Sequence, residues 1–152
     1  MPHSDYCDFL LTDLNVNLTQ RLQRVHNACV RFVCDVRRAD HITPSLETLS
    51  WFRLKERRNL HSLMLLFRIL HTTTPPYLFD RFHYLSSYHN LDTRSQNSLI
   101  LTIPSHTTSS YSSSYTVTLA RHWNSLHCHI RDCRTINSFR NKLLAQPAYL
   151  LF

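Results

Sequence analysis

Not one residue of the chain is glycine, and that removes a set of structures before any pattern is read. Without glycine there is no glycine-rich phosphate loop, no glycine fingerprint for a dinucleotide and no nucleophile elbow. A turn that needs positive φ must use Asn or Asp, or be avoided, because a Cβ is crowded there. Helices joined by polar loops meet this restriction with least strain.

The densest stretch, LHSLMLLFRIL from Leu60 to Leu70, agrees with that. On a helix, Leu60, Leu63, Met64, Phe67 and Leu70 form one stripe, while Leu65, Leu66 and Ile69 fall on other sides. A helix apolar nearly all round needs neighbours on at least two faces. At roughly 1.5–3 kcal/mol per fully buried large side chain, these eight residues supply well over 10 kcal/mol of gross burial energy. The spacing predicts a central helix from about Leu54 to His71, halted by the prolines at 75–76.

With 152 residues the chain, 1–152, reads as one domain that buries roughly two-thirds of its surface. Five cysteines and acids at Asp5, Asp8 and Asp13 give no secretory start. The expected setting is intracellular, nuclear or cytoplasmic, not secreted. No membrane span and no small-molecule substrate are expected.

Asn17, with Gln20 three residues on, reads as the cap of an amphipathic helix running to about Val36. Leu18, Leu22, Val25, Cys29, Phe32 and Val36 repeat at steps of four and three, a stripe expected to pack on the central helix. Thr43 with Pro44 starts a two-turn helix burying Leu46, Leu49 and Trp51. PYLFDRF gives another short helix at about 76–82. Residues 86–116 are rich in Ser, Thr and Asn and read as a loosely ordered connector. SLILTIP, at 98–104, is its one strand candidate. Leu119, Trp123 and Leu126 mark a further helix, and Thr135 caps a last one that buries Ile136, Phe139 and Leu143 before Pro147. The expected fold class is mainly α, a small helical bundle around one central apolar helix, with at most a short strand.

The formal charge of +7 and pI near 9.5 suit nucleic acid or another anionic surface. Arg24, Arg31, Arg37 and Arg38 form one basic group, and Arg53, Lys55, Arg57 and Arg58 another. A solvated helix face is the plain alternative. The sharper reading is phosphate contact, since a guanidinium fork matches phosphate oxygens and displaced counterions favour binding. No aromatic residue is interleaved as a base-stacking platform, so contact with the backbone without sequence readout is expected.

His127, Cys128, His129 and Cys133 crowd into seven residues with no second ligand pair at matching spacing, so a polar turn with free thiols is expected, not a metal site. There is no Asp-Asp, Glu-Glu or Asp-x-Asp for a two-metal centre. Catalytic and metal residues are therefore assigned to none.

PHSDYCDFLLTDL, LQRVHNACVRFV, DHITPSLETLSWFRLKERRNLHSLMLLFRILH, PPYLFDRF, TRS at 93–95, LARHWNSLHCHIRD and INSFRNKLL, in that order, resemble the C-terminal region of jockey-like non-LTR retrotransposon reverse transcriptases. The resemblance implies the helical thumb and beyond of an RNA-directed DNA polymerase. Its partners would be the RNA/DNA template–primer backbone and the missing palm of the parent polyprotein. The parent's cofactor would be Mg²⁺, held by an aromatic-x-Asp-Asp hairpin that lies upstream; this chain carries no such motif and no endonuclease domain. Met1 falling inside a family block suggests a start within a partial or degraded copy. The contrasting expectation is a helical protein-interaction module, or an inert remnant, without a nucleic-acid role. The sign of a module would be an exposed apolar patch and self-association insensitive to salt.

Overall fold

The computed structural model describes residue 11 and residues 14–87 and 99–150. About 67% of the described residues are helical, and among them there is no strand or sheet. The helices are α1 (Val16–Cys34), α2 (Thr43–Thr48), α3 (Leu54–Thr72), α4 (Pro76–Phe79), α5 (Ser109–Ser112), α6 (Tyr115–Ser125), α7 (Cys128–Arg131) and α8 (Ile136–Ala145). Short 3-10 turns follow at Leu85–Ser87 and Pro147–Leu150.

The expected central helix is α3. Glu56, three residues beyond the N-cap Arg53, accepts from the Arg53 backbone N–H at 3.1 Å, satisfying a donor at the start of the helix. At the other end Thr73 adopts a left-handed φ of 53° and donates its N–H to the Ile69 carbonyl. Leu60, Leu63, Leu66, Phe67, Ile69 and Leu70 are all buried. The faces of α3 meet α8, α6 and the Pro147–Leu150 turn. Phe67 stacks on Phe139 with centroids 4.5 Å apart, and Trp123 lies 5.8 Å from the same ring. Leu150, which no periodicity marked, is wholly buried in this core.

Four local expectations shift. The cap of α1 is Asn15 rather than Asn17, its side chain accepting from the Asn17 N–H at 3.0 Å. The helix ends at Cys34, where Asp35 turns left-handed at φ 50°. Left-handed φ also occurs at Ser50, Thr73 and Leu99, so a chain without glycine does not confine these turns to Asn and Asp. In α2 the cap position is Ile42, one residue before Thr43.

Residues 88–98, including the TRS block, lie outside the described residues, as do 1–10 and 12–13. Of the expected connector, the apolar island is held against the body. Leu101 is 1% exposed and forms an isolated antiparallel bridge with Tyr84. That bridge is all that stands where the strand was expected. Leu85 donates its N–H to the Ile100 carbonyl and Thr102 to the His83 carbonyl, both at 2.8 Å.

The largest correction concerns α1. Its apolar stripe was expected to pack on α3, but α1 rests on the body through another face. His26 and Val30 are its buried residues. His26 lies 6.1 Å from the Trp51 ring, and Gln23 accepts from the Leu54 N–H at 3.2 Å. A helix N-terminus has donors without intrahelical partners, and Gln23 satisfies one of them from 31 positions away. That contact fixes the rotation of α1 and leaves the stripe facing outward.

Candidate nucleic-acid interface

The C-terminal half of α1 turns a basic face away from the body. Arg24 and Arg31 lie two turns apart, so their side chains project from one side of the helix. Beyond the Asp35 cap the chain doubles back, and the Arg31 Nη1 donates to the Arg37 carbonyl at 2.6 Å. This return brings Arg38 beside the helix. Arg24, Asn27, Ala28, Arg31, Val36 and Arg38 together line an open depression of about 650 Å³.

No acidic side chain lines it. Arg24, Arg37 and Arg38 are exposed and Arg31 is half-buried. Three guanidinium groups around a concave surface, with the Asn27 amide between them, can donate to several oxygens of one or two phosphates. Arg37 contributes its carbonyl to the geometry but does not line the depression.

The second basic group does not join the first. Arg53 lines a separate depression of about 570 Å³ with Trp51, Phe52 and Glu56, where the Glu56 carboxylate opposes anion binding. Lys55 faces a third, of about 410 Å³, with Asn59, Thr118 and His122. Burial lowers the His122 pKa, and the Lys55 charge lowers it further. Arg57 is half-buried. Arg58 lines the same depression as Lys55 but is only 5% exposed, and it donates to the Leu11 carbonyl at 3.5 Å.

Asn27 and Val36 were not singled out from sequence as parts of a site. The signal for Asn27 was its place between Arg24 and Arg31 on one helix flank. Val36 carried none, because it reaches the depression only through the reversal at Asp35.

The His/Cys segment forms α7. His127 caps it, and the His127 and His129 Nδ1 atoms lie 2.7 Å apart, at hydrogen-bond distance. Cys128 is an exposed free thiol and Cys133 a buried one. Among the described residues no group of three or more His, Cys, Asp or Glu is placed to hold a metal ion. Among them, too, no helix is long and apolar enough to cross a membrane.

No protein-family model matches the chain, and neither a curated protein nor a solved structure shows significant similarity to it.

Proposed function

We propose that the chain binds the sugar–phosphate backbone of RNA or DNA without reading sequence, as the C-terminal region of a retrotransposon reverse transcriptase. The observation that carries the proposal is the single depression lined by Arg24, Arg31 and Arg38 with no opposing carboxylate. The ordered blocks resembling that family supply the identity of the polyanion. The chain alone performs no polymerase chemistry in this reading. Mg²⁺, which the resemblance implies for the parent, finds no donor set among the described residues, and no step runs through it.

Three phosphate contacts set the size of the effect. With about 0.9 counterions released per contact, log K falls with log salt at a slope of about −3 for a duplex. A fluorescence-anisotropy titration of an RNA–DNA duplex across a salt series measures it. Arg24→Gln combined with Arg31→Gln should reduce the slope to about −1 and weaken all sequences equally. A flat salt response of the native chain would sink the proposal.

The second reading, a helical interaction module, is favoured by one observation: the outward apolar stripe of α1.

A further inference from the structure

The cavity of about 410 Å³ that Lys55 faces is walled by three helices. Thr19 and Gln20 come from the first turns of α1, Lys55 and Arg58 from α3, and His122 from α6. Its volume lies in the range of pockets that hold small organic molecules.

The two sides of the cavity differ in chemistry. One is cationic. Lys55 and Arg58 lie three residues apart on α3 and so share a face. Arg58 is 5% exposed, and its contact with the Leu11 carbonyl sets the guanidinium in the wall. Lys55 is exposed. Among the described residues no carboxylate pairs with it, and its charge acts on the His122 ring. Like charges that face one space repel, and an anion placed between them removes the repulsion. The other side is apolar, closed by Leu11, Leu14 and Val16. Val16 is 68% exposed, so apolar surface stands uncovered at the cavity.

We propose that this cavity binds a small oxyanion carried on a short apolar body, an organic phosphate or sulfate ester. The head lies between Lys55 and His122, and the body covers Leu11, Leu14 and Val16. The site is separate from the Arg24, Arg31 and Arg38 depression, with which it shares no lining residue.

The rest of the wall agrees with recognition by charge. Thr118 donates its hydroxyl to the Ser113 carbonyl at 3.2 Å, and Asn59 donates an amide hydrogen to the Leu150 carbonyl at 3.0 Å. With these donors engaged, the cations are the main contacts for a ligand's oxygens. The apolar side sets a preference for an ester over a bare inorganic ion, because covering apolar surface adds to affinity. His122 couples the site to pH. In the empty cavity, burial and the Lys55 charge both hold its imidazole below the usual range. A bound anion favours the imidazolium instead, so binding takes up a proton. Of the charged groups lining the cavity, α3 supplies Lys55 and Arg58, and α1 supplies none.

Isothermal titration of the full chain with phenyl sulfate, phenyl phosphate and inorganic phosphate tests the proposal. Phenyl sulfate keeps a single charge near neutral pH, so a pH dependence of its binding belongs to the protein. Both esters should bind, phenyl phosphate at least about tenfold more tightly than inorganic phosphate. Affinity for phenyl sulfate should rise as pH falls from about 7.5 to about 5.5, and His122→Gln should abolish that rise. Lys55→Gln should weaken all three ligands at least about tenfold. Lys55 is exposed, and an unchanged helical circular dichroism spectrum will show that the variant folds. Arg24→Gln combined with Arg31→Gln should leave ester binding unchanged.

An absence of ester binding at millimolar concentration would overturn the proposal. Equal affinity for phenyl phosphate and inorganic phosphate would overturn the apolar half of the site. Binding that survives Lys55→Gln but is lost with Arg24 and Arg31 would overturn it in favour of the α1 depression. The duplex salt slope is read from a different surface, so the two proposals fail separately.

Discussion

His122 shows how a residue's setting becomes a pH dependence. Burial and the neighbouring Lys55 both disfavour its imidazolium in the folded chain. The unfolded chain protonates at the ordinary value of 6.5, while the folded chain resists. The folded-state pKa is thus the lower one, and its contribution to stability is complete above the unfolded value. As pH falls below that value the unfolded state gains the proton first, and stability declines until the folded pKa is passed. Urea denaturation between about pH 7.5 and about pH 5 should show that loss, and His122→Gln should make the slope shallower. The opposite sign applies to Tyr115, whose hydroxyl burial pushes upward; its contribution is lost only in alkali. Neither effect was legible in sequence. Eleven histidines look alike until packing separates a buried ring from a solvated one.

Among the elements, α6 carries more than its apolar stripe. Leu119, Trp123 and Leu126 are buried, as their spacing predicted. The next residue, Asn124, turns its amide to Leu101, accepting from the Leu101 N–H and donating to the Leu101 carbonyl, both at 2.8 Å. Trp123 Nε1 donates to the Leu99 carbonyl at 2.8 Å. A side-chain amide thus supplies the pairing that a neighbouring strand would give, and Leu101 bridges Tyr84 without belonging to a sheet. Asn124→Ala leaves two backbone groups unpaired and should destabilise the chain by about 2 kcal/mol in chemical denaturation. Asn124→Asp retains the acceptor but sets a carboxylate against the Leu101 carbonyl, so it should not recover the loss. For α1 the periodicity correctly indicated an amphipathic helix. The step pattern of four and three did not indicate which face meets the body: Val30 lies off that stripe and is the apolar residue that is buried.

At the scale of the molecule, the last described turn closes the core. Leu150 is fully buried, and its carbonyl accepts from Asn59 Nδ2 at 3.0 Å across 91 positions. Ending the chain after Ala145 removes a buried leucine and that hydrogen bond, and should lower unfolding stability by about 3–5 kcal/mol. A denaturation midpoint unchanged by the truncation would show that the turn is an ornament to the core rather than part of it. The bundle as a whole was legible: the central helix, the two C-terminal helices and the short proline-started ones all follow from local spacing. The candidate site was legible only in part. Arg24 and Arg31 share a flank by helix geometry alone, whereas Arg38 joins them through a chain reversal, and Arg58 leaves the surface because α3 is buried on the side it faces.

By itself the sequence determined which segments are helical and that the helix around Leu60–Leu70 is the core, since both follow from periodicities of a few residues and from the cost of wetting apolar surface. Tertiary structure alone decided which face of α1 meets the body. The difference in burial between its two faces was outweighed by contacts from distant positions: Gln23 capping the Leu54 N–H, His26 against Trp51 and Val30 in the interior. Such contacts depend on where α3 begins in space, which no local pattern encodes, and they leave the apolar stripe and the basic depression on the outside.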